Sequence, residues 1–489
     1  MGPLLGNASW TLVAALALLA DPAAAAGESP PAALHRLLTR LPQANAVCGA
    51  RVLDLVSGQV WSDVNADEPL LPASNAKVVV LAAAVDQLGP GFTFRTVLAV
   101  RGEDLVLIGD GDPALGDEKI AEARGQEQDV FRIWAERLTD LGVTSVPGDL
   151  ILDETVFDDR WVHPTWEAGD LKKWYAAPVG GLNYNDNCVD VTIWPAETPG
   201  APVLWASIPR ADVIQLDNRC LSGGKGTPII DRPKPTFEFV VKGRCNKRWK
   251  FPAVAVPDPG LLAGSALRTA LAERGISIAG RIRRQRVRRP DGSLPADCRV
   301  LTEHTTPLAA VLARTGRDSQ NLFAECLMKR LGYEWARRQG RPHPQGTWHT
   351  GRQALAELLA RAGAGGGATA LVDASGLSRE NRATAADLVA VLAYMYRHSQ
   401  RELFVNSLSE AGDNGSLRRR LQGLEGSVYA KTGYIRGVRT LSGYAVTPEG
   451  RWRAFSVLFN GFKGGSAPFN SLHDEVCRVL ASDASGTEE

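Results

Sequence analysis

Residues 71–89 read Leu-Pro-Ala-Ser-Asn-Ala-Lys-Val-Val-Val-Leu-Ala-Ala-Ala-Val-Asp-Gln-Leu-Gly. Pro72 stands near the start, Gly89 and Pro90 stand at the end, and no Gly or Pro interrupts the run between them. This punctuation predicts a helix over Leu70 to Leu88. Its valines weaken the helix, but apolarity on every side predicts burial all round. Positions three apart share a helix face, so Ser74 and Lys77 are expected to be neighbours. A serine hydroxyl is a poor nucleophile at neutral pH and needs a base beside it. Lys77 serves only when neutral, so its pKa must fall. Burial and a second cation nearby both push it down.

Two further motifs stand downstream in order. Ser319-Gln320-Asn321 lies where one helical pattern ends and another begins. The Ser319 hydroxyl there can relay a proton or cap a helix, and the Asn321 amide can bond substrate and lysine. Lys431-Thr432-Gly433 ends a short β run. Such a strand can align an extended peptide by main-chain bonds. Lys431 supplies charge for a substrate carboxylate and is the natural second cation. Thr432 adds a hydroxyl, and Gly433 permits close backbone approach. Each motif alone is weak, and their order and local setting carry the reading.

The chain has 489 residues, enough for two or three domains. Its 44% hydrophobic and 22% charged residues are ordinary for a globular protein. A net charge of +1 gives no overall field favouring nucleic acid. The apolar run Thr11 to Ala20, followed by small residues at Ala23 to Ala26, predicts a cleaved signal peptide over 1–26, although no Lys or Arg precedes it. Export to the periplasm or cell wall follows, with loose membrane or wall association left open. Export permits disulfides among the seven cysteines, and Cys220 with Cys245 is the favoured pair. An odd number leaves at least one thiol free or paired between chains.

Alternating runs around Ser57-Gly58-Gln59 predict a hairpin over Val47 to Val64. From about Phe92 to Arg299 the texture becomes β-rich. Leu105 to Ile108, Asp149 to Leu152, Val189 to Trp194 and Phe237 to Lys242 read as strands, with one helix over Asp129 to Leu141. Helical texture returns at Thr306. Asn321 to Leu331 reads as amphipathic, and Thr384 to Asp387 as a capping box opening Leu388 to Tyr396. Strands Val428 to Thr432, Thr440 to Val446 and Trp452 to Asn460 precede a closing helix over Ser471 to Ala481. The expected architecture is α/β (α+β): an antiparallel sheet with helices, formed by 27–95 and 300–489. Residues 96–299 are expected to be a β-rich insert of one or two subdomains.

The chain resembles the class C low-molecular-mass penicillin-binding proteins, the D-alanyl-D-alanine carboxypeptidase/endopeptidase family. The likeness runs through Pro72 to Lys77, Gly109 to Pro113, Asp318 to Glu325, Asp373 to Asn381, Gly415 to Leu421 and the Lys431 strand. The wide gap between Ser74 and Ser319 fits a family that inserts domains there, whereas a β-lactamase has a far shorter one. The resemblance implies the penicillin-binding/β-lactamase-like transpeptidase fold. It implies Ser74 as acylated nucleophile, Lys77 as base, Ser319 and Asn321 as relay, and Lys431 and Thr432 as carboxylate anchor. The backbone N–H groups of Ser74 and Tyr434 would form the oxyanion hole. Tyr434 departs from the Ser or Thr usual after the glycine. Asp170 and Tyr175 resemble positions that read the distal amine of the peptide stem, and Arg379 resembles one near the same pocket. The implied substrates are peptidoglycan stem peptides, with β-lactams as covalent inhibitors and no metal or organic cofactor. A D,D-endopeptidase cutting cross-links is the alternative within this chemistry. A non-catalytic wall-binding or β-lactam-sensing protein is the alternative outside it.

Other features invite blander readings. Gly109-Asp-Gly-Asp-Pro113 lacks the Gly-Lys-Ser/Thr of a phosphate loop and reads as a tight turn. The basic run Arg281 to Arg289 reads as an exposed edge strand or a patch for anionic wall polymer. His343, Trp348 and His349 read as loop residues without metal spacing.

Overall fold

β-Branched and alternating runs from the two ends of the chain meet in one antiparallel sheet. The computed structural model describes residues 28–364, 366 and 368–482, so the expected signal peptide lies outside the described residues. The strand order is Ser409–Glu410, Val428–Ile435, Val438–Val446, Trp452–Asn460, Val47–Asp54, Val60–Val64. The expected hairpin forms its edge, with Ala50 opposite Val64 and a register shift between Val52 and Leu53. Trp452–Asn460 pairs with Val47–Asp54 along its length, from Val47 opposite Asn460 to Asp54 opposite Arg453. The chain between Val64 and Ser409 is thereby looped out of the sheet.

Both sheet faces are covered. Pro30–Thr39 and Ala467–Ala481 bury Leu34, Leu38, Phe469 and Val476 against Phe455 and Phe459 on one side. On the other, helix Ala76–Leu88 packs against Leu308–Gly316, Asn321–Arg338, Trp348–Arg361 and Ala385–Arg397. It is buried at every position from Ala76 to Val85. Burial of each Val or Leu is worth about 1.5–3 kcal/mol. That exceeds the valine helix penalty of up to about 0.7 kcal/mol.

The start of this helix differs from expectation. Ala73–Asn75 form a separate 3-10 turn, and the α-helix begins only at Ala76. Ala73 is left-handed, with φ +44°, so regular helix cannot extend back through it. Val130–Asp140 is capped by Asp129, and Ala385–Arg397 by Thr384, which accepts the Asp387 N–H. The expected loop around Trp348 is instead the start of helix Trp348–Arg361, closed by reciprocal bonds between Thr347 and Thr350.

Between Phe92 and Arg299 the chain builds a five-stranded mixed sheet. Its order is Ile282–Arg284, Leu150–Asp153, Asp104–Ile108, Thr93–Arg101, Cys298–Pro307. Thr93–Arg101 and Cys298–Pro307 pair antiparallel, so the chain departs and returns side by side. Val130–Asp140 and Pro259–Glu273 pack on it through Phe131, Trp134 and Leu267. A second β cluster centres on Val191, Ile193, Phe239 and Val241. Ile282–Arg284 is an edge strand, as expected. Arg283 pairs with Asp104 and Asp149, Arg284 with Glu154 and Asp258, and Arg288 with Asp110. Much of the basic run is therefore already neutralised.

All seven cysteines are free thiols, so the Cys220–Cys245 pair is not formed. Their strands run parallel with Gly243 opposite Cys220 and Ser222 opposite Cys245. The two cysteines are thus offset by two residues across the pair rather than directly opposite. Among the described residues no helix is long and apolar enough to cross a membrane.

Candidate active site

The 3-10 turn carries Ser74, and the first turn of the following helix carries Lys77. The change of helix type keeps them together: Lys77 Nζ donates to Ser74 Oγ at 3.0 Å. Lys77 also donates to Asn321 Oδ1 at 2.7 Å and to the Ser375 carbonyl at 3.0 Å. The Ser74 hydroxyl lies 3.3 Å from that same carbonyl and can donate to it. Asn321 opens helix Asn321–Arg338, and its Nδ2 donates to the Tyr175 carbonyl at 2.7 Å.

Ser319 lies in the short link before that helix. Gln320, not Ser319, occupies the cap position. Ser319 is left-handed, with φ +60°, a conformation costing roughly 1–2 kcal/mol outside glycine. Its Oγ accepts from Lys431 Nζ at 2.9 Å, and Lys431 also donates to the Thr432 carbonyl at 2.8 Å. Thr432 Oγ1 donates to Ser416 Oγ at 2.7 Å.

Strand Val428–Ile435 brings Lys431 to this place. Ser409–Glu410 pairs with it only at Ala430 and Tyr429, so its outer edge from Lys431 onward has no strand partner among the described residues. A side chain at Gly433 would put Cβ 2.1 Å from Thr440 Oγ1 and 3.1 Å from the Ser74 nitrogen. Glycine is what lets strand and Ser74 turn touch. The Asn75 amide ties them further: in the orientation that satisfies its neighbours it donates to the Lys431 carbonyl at 2.9 Å and accepts from the Ser442 N–H at 3.0 Å.

These groups surround one cleft of about 580 Å³, lined by Ser74, Ser319, Asn321, Asp170, Tyr175, Arg379 and Tyr434 among others. Lys77 and Lys431 are fully buried in its wall and Thr432 nearly so. Tyr175 O–H donates to Asp170 Oδ1 at 2.7 Å. Arg379 is exposed and donates to the Arg436 carbonyl at 2.7 Å. Tyr434 is exposed, with Arg439 over its ring.

Burial pushes the Lys77 pKa down to about 7, while the carboxyls of Glu325 and Asp373 hold it up. The free base is thereby brought within reach of neutral pH, and it lies within proton-transfer reach of Ser74. The influence of the second cation runs opposite to expectation. Lys431 is the group driven well below its ordinary value, first by burial and then by the positive charges of Lys77 and Arg439.

Sequence reasoning assigned no role to Ser375, Asp373 or Glu325, although all three lie in quoted motifs. Glu325 follows Asn321 by four residues, a spacing that places both on one helix face. The Ser375 contact is made by a backbone carbonyl, which leaves no trace in residue type.

A hydroxyl, a depressed lysine, a second hydroxyl on a second lysine and a free strand edge define an acyl-transfer site. The chain belongs to the D-Ala-D-Ala carboxypeptidase 3 (S13) family, whose profile matches residues 31–479, and is a serine-type D-Ala-D-Ala carboxypeptidase. It is 33% identical over 475 residues to the D-alanyl-D-alanine carboxypeptidase of Actinomadura sp., covering 90% of this chain and 82% of that one. It is 25% identical over 449 residues to D-alanyl-D-alanine carboxypeptidase DacB of Haemophilus influenzae, covering 88% of each. The crystal structure of penicillin-binding protein 4 from H. influenzae superposes with a TM-score of 0.74 at 23% identity, over 93% of this chain and 99% of that one. The same protein complexed with a β-lactam superposes at 0.68 with 22% identity, over 92% and 99%. The expected family, activity and penicillin-binding fold are borne out.

Proposed function

We propose that the enzyme trims D-alanine from peptidoglycan stem peptides through an acyl-enzyme on Ser74, and that β-lactams acylate the same hydroxyl. The observation that carries this reading is Lys77 Nζ at 3.0 Å from Ser74 Oγ, with the Ser319–Lys431 pair around the same cleft. Ser74 Oγ attacks the penultimate D-alanine carbonyl as its proton passes to neutral Lys77. The oxyanion lies against the N–H groups of Ser74 and Tyr434, which Gly433 leaves accessible. The peptide C–N bond breaks, the proton passes through Ser319 to the leaving nitrogen, and D-alanine departs with its carboxylate on Lys431 and Thr432. Asn321 holds Lys77 in line. Water then attacks the ester, giving the shortened peptide acid and restoring the Ser74 hydroxyl.

Residues 27–95 and 300–489 form the catalytic domain in this reading, with 96–299 inserted. Export follows from the N-terminal apolar run, and placement in periplasm or wall follows from the substrate. Asp170 and Tyr175 receive the distal amine of the stem, and Arg379 borders the same subsite. The test is D-alanine release from a D-Ala-D-Ala stem peptide bearing that amine, from its N-acetylated form, and from cross-linked muropeptide. Asp170→Asn is expected to lower kcat/KM about 10-fold or more on the free amine while leaving the acetylated peptide and benzylpenicillin unaffected. Cleavage confined to the cross-linked dimer would make the enzyme an endopeptidase.

Gly376, with φ +81°, presses on the Ser74 turn: a Cβ there would lie 1.8 Å from the Ala73 carbonyl oxygen and 2.9 Å from the Ser74 nitrogen. Gly376→Ala is expected to slow benzylpenicillin acylation about 100-fold, the order lost when a reacting group moves by 1 Å. Stopped-flow acylation rates check this, and a wild-type rate would contradict the close approach.

A further inference from the structure

Behind Lys77 lies a buried carboxyl pair that the acylation scheme above does not use. Glu325 is fully buried and projects from helix Asn321–Arg338. It accepts the Ser375 N–H at 2.8 Å, the Ala374 N–H at 3.2 Å and Trp348 Nε1–H at 2.8 Å. Asp373, also fully buried, accepts the N–H groups of Gly376 at 3.0 Å and Ser378 at 2.7 Å, Trp166 Nε1–H at 2.9 Å and Asn381 Nδ2–H at 2.7 Å. The two carboxyls thus wind the 373–378 loop around themselves. The Ser375 peptide is held from both ends: its N–H is on Glu325 and its carbonyl is on Lys77 Nζ, within reach of Ser74 Oγ.

We propose that Glu325 is a positioning residue for acylation: it aims the Ser375 carbonyl that holds Lys77 beside Ser74, and its charge governs how readily Lys77 surrenders its proton. This rests on the reading of Lys77 as base for Ser74. A carboxylate near a buried ammonium stabilises the charged lysine. Removing that charge favours the free base. Burial and the neighbouring Asp373 raise Glu325 itself to about 7, beside a lysine lowered to about 7, so the two compete for one proton near neutrality. Lys431 also faces Lys77 and feels its positive charge. Lys329 is ion-paired to Asp158 at 2.8 Å and lies over the Trp348 ring. His163 stands by Asp373 and is pushed down by burial. The buried Cys326 thiol is pushed well up by burial and remains protonated.

The test is the pH dependence of the benzylpenicillin acylation rate in wild type, Glu325→Gln and Glu325→Asp, followed by intact-mass spectrometry. In Glu325→Gln the acid limb is expected to move down by about one pH unit, because Lys77 becomes free base at lower pH. Glu325→Asp keeps the charge but withdraws it from the Ser375 N–H, so the limb stays and the plateau rate drops at least about 10-fold. A Glu325→Gln profile that overlays wild type in shape, whatever its plateau, overturns the proposal. Should that variant not fold, Glu325→Asp decides, and a wild-type plateau overturns it. Absence of any adduct on wild type is a different result and would sink the assignment of Ser74 instead.

Discussion

Ser74→Ala is expected to carry no covalent adduct after incubation with benzylpenicillin, while the wild-type chain gains one, both read by intact-mass spectrometry. Hydrolysis of a D-Ala-D-Ala peptide should fall by about 10⁴-fold or more, as it does when the nucleophile of a serine hydrolase is removed. The size follows from the geometry. Ser319 Oγ is committed to Lys431 Nζ at 2.9 Å, and Thr432 Oγ1 to Ser416 Oγ at 2.7 Å. Of these three hydroxyls only Ser74 accepts from Lys77, at 3.0 Å. Alanine fits the 3-10 turn without the hydroxyl, so folding should be retained. An adduct on the variant would place the nucleophile elsewhere in the cleft.

The parts legible in the sequence are those written in residue type at fixed spacing. The apolar run after Lys77 predicts a helix buried all round, and helix Ala76–Leu88 is buried at every position from Ala76 to Val85. Ser74, Ser319 and Asn321 do line one cleft, with Lys431 buried in its wall. The illegible parts come from long-range contact or backbone shape. The left-handed φ of Ala73 and Ser319 is imposed by tertiary packing, since neither residue type favours it. The Ser375 carbonyl can be recognised only once the loop is folded. The cysteine pairing failed because strand register is set by the hydrophobic pattern of Phe239 and Val241, which the distance between Cys220 and Cys245 in sequence does not reveal. The direction of repulsion between the lysines depended on carboxyls at Glu325 and Asp373 that only the fold brings beside Lys77.

Lys77→Met is expected to cost acylation about 10²–10⁴-fold, the range lost with a general base, and yet to raise thermal stability at pH 6. The unfolded lysine has a pKa of 10.5 and the folded one about 7. Above 10.5 both states hold a neutral amine, and burial of Lys77 carries no proton cost. Below 7 both are protonated, and the folded state bears the full cost of a buried ammonium, roughly 3–5 kcal/mol. Stability from this group therefore rises as pH climbs from 7 to 10.5. Glu325 runs the other way: raised from 4.5 to about 7, it weakens the fold as pH rises through that window. Methionine removes the first dependence and leaves the second without its countercharge. The gain in Tm over wild type should thus be largest near pH 6, at least about 2 °C, and should shrink or reverse by pH 9. Calorimetry at both pH values, beside acylation rates, reads the two effects together. A variant less stable than wild type at pH 6 would mean that the three hydrogen bonds of Lys77 outweigh its burial, and that the amine owes its reactivity to something other than desolvation.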